Sequence, residues 1–246
     1  MIVERSLHTG WLSNTWLVAD HAGGHGVVID TGGPREPIEA RIAELRITVT
    51  HVLCTHHHID HVLHNREYAA QHGCPVCGHA AERELFGHLD LELAADQEID
   101  SGTLRVRALH VPGHTKGQLA FLVNEERLFT GDTLFKGSVG GTRAPGHASF
   151  DELRHSILEV LLALPPATIV HPGHTETTTV ADELRENPFV NAWRKPETVQ
   201  PRPCTAYGQP ATLLLEARDY DGGTKCWVRW DDGSQDVVPG SRVGPA

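Results

Sequence analysis

No apolar stretch in this chain of 246 residues approaches the roughly 18 residues that a membrane span needs, so none is expected. The opening residues, Met1-Ile2-Val3-Glu4-Arg5, lack a cationic, apolar, small-residue leader, so a secretory signal is not expected either. There is no Lys/Arg run, and the formal net charge is −11. That balance repels a phosphate backbone and argues against nucleic-acid binding. Cysteine is sparse and odd in number: Cys54, Cys74, Cys77, Cys204 and Cys226 form no even disulfide framework. A chain this long needs no covalent staples, so reduced thiols in a cytoplasmic protein are the expectation. The length fits one large domain or one and a half.

Histidine is in surplus, with 18 residues. The densest group is Thr55-His56-His57-His58-Ile59-Asp60-His61, directly after the apolar run 49–54. Neutral imidazoles and a carboxylate suit borderline divalent cations such as zinc, with redox metals such as iron also open. In an extended segment, side chains two apart point the same way, so His56 and His58 can reach one ion together. Asp60 and His61 fall where the chain should turn into a helix over 62–71, and they point towards a second ion. His57 should face away from the pair, as a surface residue or a partner to a ligand.

The remaining pattern mixes strands and helices. Runs 2–8, 11–19 and 26–30 read as a β meander, and Asp30-Thr31-Gly32-Gly33-Pro34 opens a helix near 35–46. Cys74-Pro75-Val76-Cys77 reads as a short strand carrying two incidental thiols rather than a zinc knuckle. Helix and loop are expected over 82–100. Strands are expected at 104–111, 119–123, 127–130 and 167–171, and helices at 149–163 and 177–187, the last stopped by Pro188. Beyond residue 192 the composition shifts to a proline-punctuated linker. The β runs 211–217 and 225–230 follow, joined by Asp219-Tyr220-Asp221-Gly222-Gly223. The expected division is therefore 1–192 for the main domain and 193–246 for the linker and a small β-rich, SH3-like extension docked on it.

Three more polar segments follow strand-like runs: Pro112-Gly113-His114-Thr115, Thr130-Gly131-Asp132-Thr133 and Pro172-Gly173-His174-Thr175. In each, a glycine free to take positive φ would aim the next side chain into a cleft. Taken in order, His56-x-His58-x-Asp60-His61, His114, Asp132 and His174 resemble the metallo-β-lactamase fold superfamily over about residues 2–190. The resemblance implies an α/β (α+β) protein with a four-layer αββα sandwich and a two-metal cleft at its edge. It assigns His56, His58 and His114 to one ion, Asp60, His61 and His174 to the second, and Asp132 to both. Two zinc ions are expected, with iron or a mixed pair as alternatives.

The stretches 112–115, 131–135 and 172–178, with Asn187-Pro188-Phe189, are most similar to short bacterial glyoxalase II-like hydrolases. That likeness implies hydrolysis of a small-molecule acyl thioester, with Asp60 both a ligand and the acceptor that orients the attacking oxygen. Two other reactions on this fold stay open. A mononuclear iron persulfide dioxygenase would use His56, His114 and Asp132. A lactone hydrolase ranks lower, because none of Tyr68, Tyr207 and Tyr220 is placed by a motif beside Asp132. Lys136 and Arg143, in the loop after Asp132, are candidates to receive an anionic substrate group. His171 is either a partner to a ligand or the polar end of a strand. Self-association into a homo-oligomer stays open.

Overall fold

A computed structural model describes residues 1–246. Two six-stranded sheets lie face to face. The first runs in the order β1 (Ile2–Leu7), β2 (Asn14–Ala19), β3 (His25–Ile29), β4 (Thr48–Leu53), β5 (Val76–His79) and β6 (Leu91–Leu93). Its first three strands are antiparallel neighbours, and the pairs from β3 onward are parallel. The second sheet contains β7 (Glu98–Ser101), β8 (Leu104–His110), β9 (Leu119–Val123) and β10 (Arg127–Gly131). A two-stranded ribbon, β11 (Leu134–Phe135) and β12 (Ser138–Val139), follows β10. The second sheet ends in β13 (Ile169–Pro172) and β14 (Thr178–Thr179).

Strand alternation explains the layering. Trp16, Val18, Val27 and Ile29 face inward and meet Val106, Phe121, Val123 and Phe129 of the opposite sheet. Their neighbours Leu17, Ala19 and Val28 face outward and pack on Ile38 and Ile42 of α1 (Arg35–Leu45). Short α2 (Ile59–Val62) leads to α3 (Asn65–His72), whose Tyr68 joins the same outer layer, and α4 (Arg83–Phe86) follows β5. On the other side, Ala120, Leu122 and Leu128 meet Phe150 and Leu153 of α5 (Phe150–His155) and Ile157 of the π-helical turn that continues it. Val180 of α6 (Val180–Glu186) and Trp193 of α7 (Pro188–Arg194) complete that layer. The molecule is the four-layer αββα sandwich expected from the motifs. No helix is long and apolar enough to cross a membrane.

Several local expectations need correction. The helix expected over 62–71 is broken into α2 and α3 around Leu63-His64. The segment 82–100 is not helix and loop alone, because β6 and the start of β7 lie within it. Pro188 does end α6, but it also opens α7, where its missing N–H is harmless at the first helical position. Asn187 caps that helix, its Oδ1 accepting from the N–H groups of Phe189 and Val190.

The C-terminal segment holds five strands instead of two runs. They are β15 (Arg202–Ala206), β16 (Gln209–Arg218), β17 (Thr224–Trp230), β18 (Gln235–Pro239) and β19 (Val243–Pro245). One face of this sheet has its own small core, including Cys204, Leu213, Cys226 and Val238. Leu214, Trp227 and Val237 instead join the core around α5 and α7. The Trp227 ring stacks on Phe150 at 5.7 Å between centroids. The Thr142 N–H donates to the Val237 carbonyl, and the Val237 N–H donates back to the Thr142 hydroxyl, both at 2.9 Å. The segment is therefore docked by apolar burial and by paired backbone groups.

Candidate metal centre

All seven residues singled out in the sequence converge on one edge of the sandwich. His56, His58, Asp60 and His61 follow β4, His114 follows β8, Asp132 follows β10 and His174 follows β13. Strand ends in open sheets of this kind are where ligand crevices form. The donor atoms of His56, His58 and His114 lie within 4.8 Å of one another, and so do those of Asp60, His61 and His174. Asp132 lies between these groups. Its Oδ1 is 3.2 Å from His61 Nε2, and its Oδ2 is 3.2 Å from His174 Nε2 and 3.6 Å from His114 Nε2.

Glycines make this approach feasible. Gly113 and Gly131 have φ of +144° and +48°, as the turn argument expects. Gly173 does not share that conformation. Its role is close approach, because a Cβ there would sit 2.4 Å from Asp132 Oδ1 and 2.8 Å from His61 Cε1. The strand β2 holds the same loop in place: Asn14 donates to the carbonyls of Pro172 and Thr175, and the Trp16 indole donates to Pro172.

The outward nitrogens of four of the five histidines are already engaged, which decides their inward ones, while His174 Nδ1 is buried without a partner. His58 Nε2 donates to the Pro145 carbonyl at 2.9 Å, and His114 Nδ1 to the Gly141 carbonyl at 2.8 Å. His61 Nδ1 donates to Asp30 Oδ2 at 3.0 Å. The Thr55 hydroxyl donates to Asp30, so its oxygen is left to accept from His56 Nδ1 at 3.0 Å. These assignments leave lone pairs on His56 Nε2, His58 Nδ1, His61 Nε2 and His114 Nε2, all directed at the cleft. His56 Nε2 and Asp132 Oδ1 are buried and have no hydrogen-bond partner. Buried polar atoms are rarely left so. This donor set, with its orphaned inward atoms, fits divalent cations.

The electrostatics agree. Burial lowers the pKa of His56, His58 and His114, the last to about 4, which keeps them neutral as ligation requires. Burial opposes ionisation of Asp132, but His174 and His61 outweigh it and hold the carboxyl well below its usual range. Burial also disfavours the His61 imidazolium, yet Asp132, Asp30 and Asp60 raise its pKa well above normal. A cation in the cleft would supply the positive charge that His61 otherwise provides.

Other sequence-singled residues fall differently. His57 faces away from the cluster but is not on the surface: its side chain is 8% exposed and its Nδ1 bonds Glu82 at 2.8 Å. His171 does not touch the ligands. It stacks on Phe129 at 4.6 Å, and burial takes its pKa down to about 3. Lys136 is exposed and is not among the residues lining the cavity beside the ligands. Arg143 does border the cleft, but its Nε is bound to Asp236 Oδ2 at 2.7 Å and its guanidinium covers the Trp230 ring. It is already neutralised.

Sequence reasoning missed three contributors. Asp30, in left-handed conformation at φ +54°, binds Thr55 and His61 together. The only signal was an Asp ending a strand before Gly32-Gly33. Glu82 ties His57 to the Gly117 N–H. Tyr220 arrives from the C-terminal sheet, its ring stacked on His174 at 4.2 Å and 13°. Burial and the charges of Asp132, Asp219 and Asp60 push its phenol pKa upward. No motif places a tyrosine beside Asp132, which ranked lactones lower, but the fold brings Tyr220 to the ligands all the same.

Sandwich and site together define a metal-cleft protein of one family. Residues 8–174 match the model of the metallo-beta-lactamase superfamily, and the chain belongs to that superfamily. An uncharacterized protein of Mycobacterium leprae (strain TN) is 34% identical over 204 residues, covering 72% of this chain and 93% of the relative. A hydroxyacylglutathione hydrolase of Acidiphilium cryptum (strain JF-5) is 34% identical over 208 residues, covering 83% and 81%. Among solved structures, TTHA1623 in a di-iron-bound form aligns with a TM-score of 0.66 at 31% identity, covering 76% of this chain and 99% of that one. The family, with these His/Asp clusters, indicates a hydrolase dependent on divalent metal.

Proposed function

We propose that this chain hydrolyses acyl thioesters with two divalent cations held in the cleft. The observation that carries the reading is the position of Asp132 between two groups of three ligand side chains. His56, His58 and His114 would hold one ion, Asp60, His61 and His174 the other, and Asp132 both. Zinc suits the donors, and iron or a mixed pair suits them too. When bound, such ions supply Lewis-acid polarisation of an acyl carbonyl and lower the pKa of water.

The protein's own groups supply the rest. Asp60 is the more open of the two carboxylates, with its side chain 24% exposed against 9% for Asp132. Burial would raise its pKa and the neighbouring His61 lowers it, and a cation held in the cleft would favour the carboxylate in the same way. Its Oδ atoms can accept a proton from the attacking water and orient that oxygen towards the acyl carbon. A thiolate leaves without much acid help, which suits a site with no obvious general acid in its ligand motifs. The relationship to a hydroxyacylglutathione hydrolase supports the thioester choice.

Tyr220 favours a second reading, hydrolysis of lactones and other oxygen esters. An alkoxide is a poorer leaving group, and a protonated phenol stacked against His174 can donate to it. A persulfide dioxygenase is less favoured, since one iron on His56, His114 and Asp132 would leave Asp60, His61 and His174 without a role.

The test is elemental analysis together with thiol release from a thioester panel. Close to two equivalents of zinc, iron or both, with turnover of at least one thioester, is the expected result. A fully metallated, folded preparation inert to the whole panel refutes the thioester claim. Tyr220→Phe should lower oxygen-ester turnover by on the order of 100-fold and change thioester turnover little.

A further inference from the structure

Beside the ligands lies a cavity of about 320 Å³, and ten of its sixteen lining residues belong to the C-terminal sheet and its loops. That volume is at the small end for ligand sites, which start near ~300 Å³. From the sandwich come His114, Asp132 and Phe135, and from the C-terminal side come Asp219, Tyr220 and Lys225. The family model ends at residue 174, so this wall lies outside the shared fold.

The charges on that wall are already committed. Lys225 is buried, and its Nζ reaches Asp219 Oδ2 at 3.0 Å and the Val139 carbonyl at 2.8 Å. Arg143 is held by Asp236 at 2.7 Å. Asp219 is itself fixed to the sandwich by the Ser138 hydroxyl at 2.8 Å. Asp221, on an exposed turn, adds a carboxylate to the lining without a cation opposite. Asp219 and Asp221 of the lining, with Asp236 behind it, thus stand against two cations, on a molecule of net charge −11.

We infer that the C-terminal sheet closes the metal cleft into a compartment selecting compact acyl compounds on uncharged carriers and rejecting polyanionic thiol carriers. This rests on the acyl-hydrolase reading. Its physical basis is that like charges brought together at a site are unfavourable, while each cation is already paired with a carboxylate. The metal end of the cleft takes the reacting acyl group, and the C-terminal wall meets the carrier. The partly exposed edge of the Tyr220 ring, with Val237 and Pro239, gives that carrier apolar contact.

The test uses the metal-loaded full chain and one acyl group on three carriers: S-acetyl-N-acetylcysteamine, S-acetylglutathione and acetyl-CoA. The neutral carrier should have the highest kcat/KM, by at least about 10-fold, with the gap narrowing as salt is raised. Equal or reversed preference overturns the inference. Asp221→Lys, on an exposed turn where folding is little affected, should shift the ratio towards S-acetylglutathione by about 5-fold. An unchanged ratio removes the charge argument and overturns it as well. If none of the three is cleaved, the thioester reading fails by itself. Calorimetry with the thioethers S-ethyl-N-acetylcysteamine and S-ethylglutathione then decides selection separately. Tighter binding of the neutral thioether sustains the inference. Tighter or equal binding of S-ethylglutathione, or binding of neither, ends it.

Discussion

The two walls of the cleft are built differently. The sandwich wall is assembled from turns a few residues long, each placing one or two ligands at a strand end. The C-terminal wall reaches the same cavity by long-range docking. Ser138 meets Asp219 across 81 residues of sequence, and Lys225 meets Val139 across 86. The first wall depends on buried donors, four of whose outer nitrogens are fixed by partners on the neighbouring loops of the sandwich. The second depends on an apolar seam, Trp227 against Phe150 and Trp193, beside its polar links. On the proposed reading, metal chemistry and substrate selection are separable here, because different parts of the chain would supply them.

The largest expected effect belongs to the sandwich wall. Asp60→Asn should reduce turnover by roughly 10²–10⁴-fold, the range for loss of a general base, with a much smaller change in Tm. Full turnover in that variant would remove Asp60 from its assigned role. The C-terminal wall is broken most directly at its seam. Trp227→Ala should destabilise the protein by about 3–5 kcal/mol in denaturant unfolding, the range for deleting a buried aromatic ring. A loss near zero would mean that the wall is held by its polar links instead.

Asp30→Asn sharpens the comparison from behind the ligands. Asparagine tolerates the left-handed backbone at this position, but it cannot offer His61 and Thr55 the same charged acceptor. Metal affinity, measured by competition with a chelator, should fall about 10- to 100-fold. An unchanged affinity would show that His61 is oriented without Asp30.

The smallest effect lies away from both walls, at Asp20. Although burial raises its pKa, N–H groups of Thr103, His25 and His21 bring it down to about 2. A depressed carboxyl pKa stabilises the fold above the ordinary value near 4, and the contribution disappears as pH falls from there through about 2. The side chain is 2% exposed, and its contribution is on the order of 1 kcal/mol. Asp20→Asn should remove that part of the acid dependence. An identical pH profile in the variant would show that Asp20 contributes nothing.

Much of the sandwich wall was legible in the sequence because its information is local. A dense His/Asp group after an apolar run, and Gly-His or Gly-Asp after three others, state both the residue type and the turn that presents it. The layers were legible for a related reason, as strands buried on both faces read as apolar runs. Asp30 was hidden because an Asp before Gly-Gly has an ordinary use as a turn residue. β6 was hidden because three residues carry too little alternation to read. Pro188 was half read, since a proline that stops one helix is equally suited to start another. Tyr220 and Lys225 were beyond reach, because no spacing rule links a turn near residue 220 to a histidine at 174. Lys136 and Arg143 were singled out by proximity in sequence to Asp132. The fold turned one to solvent and paired the other with Asp236.

The central claim is that one carboxylate joins two cation sites. Anomalous diffraction from crystals of the metallated protein tests it most directly. The account predicts two metal peaks per chain a few ångströms apart, with Asp132 oxygens ligating both and His174 ligating one. A single peak, or two peaks with Asp132 or His174 remote from either, would contradict it.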